Sequence, residues 1–303
     1  MVRVLVCDQI DIKRLSLGPS FEVDYRPTLS REELLSVAGN YEVLVVRSRT
    51  KVDREVLEKA NRLKLVARPG TGLDNVDVGF AKERGVAVAN SPESLVEAVA
   101  EQVVLVMLAL SRKLVQADTG TRSGKWEKNA LVGRELRGKV LGVVGFGRIG
   151  RRIAEIGKTL GMTILAYDVV AVPPDVARPL GARMVPLDEL FASSDYITLH
   201  VPMAPDTAHM VDAPRIATMK ETSVLVNMSR GGVVDEDALA SALRARSIGG
   251  AALDVFEKEP PSGAILSAPN VILTPHIGGQ TEEAQANAIE VVGEKVRAFF
   301  KAP

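Results

Sequence analysis

Three stretches toward the end of the chain carry side chains suited to holding an anion and moving a proton. Asn227-Met228-Ser229-Arg230-Gly231-Gly232 follows the apolar run Val224-Leu225-Val226. An arginine at the carboxyl end of a strand can clamp a carboxylate through two parallel hydrogen bonds, although a solvated arginine before a diglycine turn fits the same letters. The next stretch, Ala252-Leu253-Asp254-Val255-Phe256-Glu257-Lys258-Glu259-Pro260, supplies acids, and Leu273-Thr274-Pro275-His276-Ile277-Gly278-Gly279 supplies a histidine. These are strand ends, where open α/β sheets bind ligands. Imidazole is the side chain best matched to taking a hydroxyl proton near neutral pH, and a neighbouring carboxylate would orient its ring. The other two of the three histidines read blandly: His200 as a packed or backbone-bonded strand end, His209 as part of a polar loop. No close Cys/His cluster occurs, so no metal site is expected.

A glycine-rich turn, Gly145-Phe146-Gly147-Arg148-Ile149-Gly150, precedes these stretches. Alone, the spacing could be an empty turn. Here it follows an apolar strand at 140–145 and opens an amphipathic helix at 148–160. In that context Gly145 permits the tight turn, Gly147 lets backbone approach a pyrophosphate, and Gly150 allows close helix packing. The helix amino terminus offers amides to the phosphates. Asp168 ends the next strand, near the spacing at which a carboxylate binds both ribose hydroxyls. A carboxylate there repels a 2′-phosphate, and Val169 and Val170 offer no cation to receive one, so NAD is expected rather than NADP.

The elements that must position these groups alternate. Strand-like runs at 2–8, 41–47 and 63–68 are separated by helical patterns at 30–38 and 53–61, and a second series runs through 163–168, 196–200, 224–227 and 251–254. This alternation predicts parallel sheets flanked by helices. At 303 residues and 46% hydrophobic, the chain can bury two cores. Capping boxes are expected at Ser30/Glu33 and Ser94/Glu97. The helix at 94–111 is apolar on nearly every face, so its own chain or a second subunit must cover it, and a dimer interface is expected. Its apolar run, 103–110, falls short of the roughly 18 residues of a membrane span. Lysine plus arginine equals aspartate plus glutamate at 38 each, so neither nucleic acid nor an anionic membrane is an expected partner and a small soluble one is. Cys7, the single cysteine, reads as a buried hydrophobe in a reducing, cytoplasmic setting. The chain opens on a strand rather than a signal peptide and ends soon after a helix at 282–301, so neither secretion nor an added regulatory or protein-recognition segment is expected.

These segments, together with Arg68-Pro69-Gly70-Thr71-Gly72-Leu73-Asp74-Asn75, resemble the D-isomer-specific 2-hydroxyacid dehydrogenase family over essentially the whole chain, and within it the phosphoglycerate dehydrogenases. Departures fall at Pro69 and Gly279, where alanine is common in the family, and they bear on pocket shape. The resemblance implies an α/β fold of two doubly wound parallel-sheet domains. A Rossmann-type NAD domain, 93–280, is inserted into a flavodoxin-like substrate domain, 1–92 and 281–303. It implies that Arg230 holds the substrate carboxylate, His276 transfers the proton and Glu259 is its paired acid, with Glu257 left as a solvated loop residue. Asp254 would lie near the nicotinamide carboxamide, and Arg148 and Ile149 would contact the pyrophosphate through their backbones. Met228, Ser229, Arg230, His276, Gly278 and Gly279 complete the cofactor site. The implied substrate is D-3-phosphoglycerate, oxidised to 3-phosphohydroxypyruvate in serine biosynthesis, with amides at Gly70, Thr71 and Gly72 on its carboxylate. Arg47 and Arg68 would hold its phosphate, Lys128 could reach a neighbouring subunit's site, and Arg49 would be solvated. A homodimer or a tetramer is implied. Two alternatives remain at this point: a glyoxylate or hydroxypyruvate reductase, and an NAD-sensing protein resembling the family's corepressors.

Overall fold

The computed structural model describes residues 1–301, and the chain divides into two compact units. The first comprises 1–96 and the residues from 279 onward; the second is 97–278, whereas the sequence places the crossings at 92/93 and 280/281. In chain order the first unit holds β1 (Val2–Val6), β2 (Phe21–Tyr25), α1 (Arg31–Val37), β3 (Val43–Val45), α2 (Arg54–Lys59), β4 (Leu65–Arg68), α3 (Val78–Glu83) and β5 (Ala87–Asn90). The second holds nearly all of α4 (Val96–Ser111), then α5 (Leu114–Arg122), β6 (Val140–Val144), α6 (Arg148–Thr159), β7 (Thr163–Tyr167), α7 (Pro174–Ala177), β8 (Ala182–Met184), α8 (Leu187–Ser193) and β9 (Tyr196–Leu199). It continues through α9 (Ala213–Ala217), β10 (Val224–Asn227), α10 (Glu236–Ala245), β11 (Gly250–Leu253) and β12 (Val271–Leu273). Finally α11 (Glu282–Lys301) belongs to the first unit.

The first unit's sheet is parallel, in the order β2-β1-β3-β4-β5. Its central strands are runs of valine and leucine because helices cover both faces, which removes the alternation a half-solvated sheet would show. On one face Leu5, Leu44 and Val66 pack with Leu34, Val56 and Leu57 of α1 and α2. On the other, Val4, Val43 and Leu65 meet Ile289, Val292 and Val296 of α11. Burying each such side chain contributes on the order of 1.5–3 kcal/mol.

At α1, Ser30 and Glu33 form the expected capping box: the Glu33 amide donates to Ser30 Oγ at 3.2 Å and the Ser30 amide to Glu33 Oε2 at 2.8 Å. Ser94 does not repeat it. The chain enters α4 through a 3-10 turn begun by Pro92, and Ser94 lies inside that turn with its hydroxyl buried. Proline suits a first helical position, so the turn starts earlier than the Ser-x-x-Glu pattern suggests. Counted from Pro92, this segment is 20 residues, long and apolar enough to span a membrane by length and composition; an 18-residue stretch of it has mean hydropathy 1.7 and is 56% buried in the protein. Val103, Val106 and Met107 are within the core, but Leu105 and Leu108 remain 53% and 42% exposed, so the chain does not cover this helix by itself.

The second unit's sheet is also parallel, ordered β12-β11-β10-β9-β6-β7-β8. Successive strands run outward from β6 to β7 and β8, then return to its other side at β9. This reversal between β6 and β9 is the switch point at which doubly wound sheets open a crevice at their carboxyl ends. One core face is built from Phe191, Leu199, Leu225, Leu239 and Leu253.

Candidate active site

Local sterics dictate the glycine turn after β6. Gly145 takes φ +90°, and a Cβ there would overlap the His200 carbonyl. A Cβ on Gly150 would overlap the Gly145 carbonyl, so this glycine lets α6 sit against the strand end. Gly147 is different: nothing lies within 4 Å of where its Cβ would be. It is the N-cap residue of α6, and no side chain among the described residues caps that terminus. The first amides of α6, including those of Arg148 and Ile149, therefore face an open approach, the condition for anion binding at a helix start. Asp168, just past β7, accepts from the Phe146 amide at 2.7 Å through Oδ2 and from the Val170 amide at 3.0 Å through Oδ1. The glycine turn thereby fixes the acid beside itself. Val169 and Val170 are exposed, with no cation between them.

Adjacent strands β10, β11 and β12 lead at their carboxyl ends into the segments that carry Arg230, Glu259 and His276. Buried Asn227 knots the first turn, its Nδ2 donating to the Arg230 carbonyl at 2.9 Å and its Oδ1 accepting from the Ser229 amide at 3.1 Å and hydroxyl at 2.9 Å. Met228 and Ser229 are buried within it, and Arg230 is half-buried with Nη1 on the Ser229 carbonyl at 2.7 Å. Past β12, His276 adopts φ +56°, and its Nδ1 lies 3.0 Å from both carboxylate oxygens of Glu259. That pairing favours the tautomer with the proton on Nδ1, leaving the Nε2 lone pair to accept another. The two side chains are 55% and 42% exposed, so the imidazole is open to a substrate.

Asp254 is 2% exposed. Its carboxylate accepts from Thr274 Oγ1 at 2.5 Å and from the Ile277 and Gly278 amides at 2.8 and 2.7 Å, which shapes the loop that presents His276. Sequence reasoning gave Asp254 a role toward the cofactor and no role toward this loop. Gly279 falls in the first unit, against Leu95.

In the first unit, a cleft of about 470 Å³ is lined by Asp8, Gln9, Thr28, Arg47, Arg49 and Gln280. Burial pushes the Arg47 guanidinium below its ordinary range, against the opposing charge of Asp8. A desolvated cation of this kind is stabilised by an anionic ligand. Arg49 is exposed, as the sequence suggested, and it is also tied down by hydrogen bonds. It donates to Asp8 Oδ1 at 2.9 Å and to the carbonyls of Cys7, Pro27 and Leu29 at 2.5, 2.8 and 3.2 Å, tying three loops together. Asn75 donates to the Arg47 carbonyl at 2.9 Å. The Arg68 guanidinium folds over Gly70, where a Cβ would collide with it. The Gly70 amide donates to Ser91 Oγ at 2.7 Å, so of the amides expected on a carboxylate this one already has an acceptor. Asn90 Nδ2 holds the Thr71 carbonyl at 2.6 Å, ahead of Gly72. Lys128 begins an exposed 3-10 turn in the second unit.

Glu257 likewise has partners the sequence did not announce. It is an exposed loop residue, and its Oε1 accepts from the Glu236 amide at 3.2 Å and lies 3.2 Å from His209 Nε2. His200 is half-buried with its Nδ1 enclosed, its Nε2 lies 2.7 Å from Thr198 Oγ1, and burial pushes its pKa down to about 3. Cys7 is buried, with its thiol pushed up to about 12 by burial first and then by Asp8. Among the described residues no group of three or more His, Cys, Asp or Glu could hold a metal ion.

A dinucleotide turn at one side of the switch point, with arginine, acid and histidine at neighbouring strand ends, defines a class. The chain belongs to the D-isomer specific 2-hydroxyacid dehydrogenases, whose NAD binding domain matches residues 104–278. It is 42% identical over 299 residues to a D-3-phosphoglycerate dehydrogenase of Synechocystis, covering 98% of this chain and 54% of that one. A hydroxypyruvate reductase of Thermotoga maritima is 45% identical over 273 residues, 88% of each chain. The crystal structure of D-lactate dehydrogenase from Aquifex aeolicus, complexed with NAD and lactic acid, aligns with a TM-score of 0.85 at 31% identity, covering 99% of this chain and 95% of that one. The chain spans a little over half the length of the phosphoglycerate dehydrogenases it matches first.

Proposed function

We propose that this protein oxidises D-3-phosphoglycerate to 3-phosphohydroxypyruvate with NAD. The observation that carries the reaction class is the His276–Glu259 pair on strand ends next to Arg230. Its relatives named for this substrate and the half-buried Arg47 on an otherwise polar cleft support the choice of acid.

NAD, when bound, supplies the hydride acceptor. The open amino terminus of α6, the bare Cα of Gly147 and the carboxylate of Asp168 fit its pyrophosphate and ribose. Arg230 holds the substrate carboxylate and so turns the carbinol hydrogen toward the acceptor, which is catalysis by orientation. His276 takes the hydroxyl proton at Nε2. Glu259 stabilises the imidazolium that results, a placed charge that needs no rearrangement. Arg47 and Arg68 hold the phosphate, and Thr71 and Gly72 offer amides to the carboxylate end.

A second reading is a hydroxypyruvate reductase, favoured by the relative that matches 88% of both chains. It needs no phosphate-binding arginine. Purified protein mixed with NAD and, separately, 3-phosphoglycerate, D-glycerate, D-lactate and glycolate decides between them. Fastest turnover of 3-phosphoglycerate is expected; faster turnover of D-glycerate overturns the choice of substrate.

We also propose a homodimer through the exposed apolar face of Leu105, Leu108, Leu114 and Val115. A face this apolar marks an interaction surface. Sedimentation of the Leu105→Glu, Leu108→Glu double variant as a monomer and of the parent as a dimer is the expected outcome. A cytoplasmic location fits the buried, unpaired thiol of Cys7.

A further inference from the structure

Three loops of the second unit meet beside the turn that carries Arg230. Glu236 opens α10, and its amide donates to Glu257 Oε1 at 3.2 Å. The Glu257 amide donates back to Glu236 Oε1 at 2.5 Å. Each carboxylate thus accepts the other residue's backbone, a reciprocal pair of charge-assisted hydrogen bonds. From the third loop, after β9, His209 places Nε2 3.2 Å from Glu257 Oε1 and donates its amide to the Gly232 carbonyl at 2.8 Å.

The backbone between these points is equally close. A Cβ on Gly231 would overlap the Phe256 carbonyl, so the Arg230 turn rests directly on the segment leading to Glu259. Glu257 lies two residues before that acid, and Glu236 six residues after Arg230. Two carboxylates side by side repel each other, and Glu236 is raised by burial first, with Glu257's charge adding to the rise and its amide opposing it.

We propose that Glu236 and Glu257, steadied by His209, form a clasp that holds the Glu259 loop in register with the Arg230 turn. They are positioning residues: neither touches the reacting atoms, and both act through Glu259 and hence the orientation of His276. This rests on the assignment of Glu259 and His276 to proton transfer. Gly231 fixes how near the two loops lie, and the clasp fixes their relative slide along the strand direction.

The test uses full-length Glu236→Ala, Glu257→Ala, their double variant, and the conservative Glu236→Gln and Glu257→Gln, each of which keeps an acceptor oxygen. Two readouts are taken: steady-state kinetics with NADH affinity, and amide hydrogen exchange of the segment 254–260. Either alanine is expected to lower kcat about tenfold, as a misplaced catalytic group does. NADH affinity stays within twofold, and exchange of the segment rises. The double variant falls no further than either single one, because the two side chains make one device. The glutamine variants restore both readouts.

Wild-type exchange in the alanine variants overturns the clasp whatever the kinetics, and so do multiplicative losses in the double variant. Faster exchange with unchanged kcat overturns the positioning role. If the wild-type protein oxidises no 2-hydroxy acid, the functional reading fails separately, and exchange alone then decides whether the clasp holds the loop.

Discussion

Replacing Gly147 with alanine isolates what the glycine turn does for the cofactor from what it does for the fold. Nothing lies within 4 Å of the added methyl, and φ of −74° suits any residue, so folding stability should change by no more than about 0.5 kcal/mol. The methyl does, however, occupy the open approach to the first amides of α6. If a pyrophosphate reaches those amides, losing one charge-assisted hydrogen bond costs about 1.5–3 kcal/mol, or roughly a 10- to 150-fold rise in the Kd for NADH. Fluorescence titration of NADH with the parent and variant proteins measures this, and thermal unfolding checks that stability is kept. Gly150→Ala is the contrast. Its Cβ overlaps the Gly145 carbonyl, so both binding and stability should fall, the latter by about 1–3 kcal/mol. NADH affinity within twofold of the parent in Gly147→Ala would refute the reasoning.

Arg230→Ala and His276→Ala are each expected to lower kcat by at least about a hundredfold, with NADH still binding, and near-normal turnover in His276→Ala would sink the proton-transfer role. Arg47→Ala should raise the KM for 3-phosphoglycerate at least about tenfold and leave that for D-glycerate nearly unchanged, because only the former loses a partner for its phosphate. The enclosed Nδ1 side of the His200 imidazole predicts acid sensitivity. Its folded pKa of about 3 lies below the ordinary imidazole value of 6.5, so the unfolded chain binds a proton that the folded chain refuses. The associated stability is full above pH 6.5 and is lost as pH falls toward 3, by about 1.4 kcal/mol per unit. Denaturant unfolding between pH 7 and 4 should therefore show a shallower decline in His200→Gln than in the parent; equal slopes would contradict this.

Much of the fold was legible because it is written in local periods. Alternating valine-rich runs and amphipathic stretches gave parallel sheets, and the helix at 282–301 coincides with α11. The placement of the glycine turn and of Asp168 beside it was readable because both lie within one strand-turn-helix-strand unit. Ser94 misled because the Ser-x-x-Glu letters match a cap, while Pro92 two residues earlier had already started the turn. The partners of exposed Arg49 and Glu257 went unread for another reason. Asp8 lies 41 residues from Arg49, and Glu236 lies 21 from Glu257, so no local pattern announces either pairing.

The sequence by itself determined the class of chemistry: an arginine, an acid and a histidine at three successive strand ends after a dinucleotide turn admit few other readings. Their types and order suffice because strand ends of a parallel sheet share one edge. Tertiary structure decided how those groups are held. It set the Glu259 carboxylate symmetrically on His276 Nδ1, and it placed Asp254 at the centre of the histidine's loop rather than leaving it to the cofactor alone. It also spent the Gly70 amide on Ser91 and turned Arg49 into a tie between loops. Each of these depends on which distant backbone amide or carbonyl falls within hydrogen-bonding reach, and only the packed chain fixes that distance.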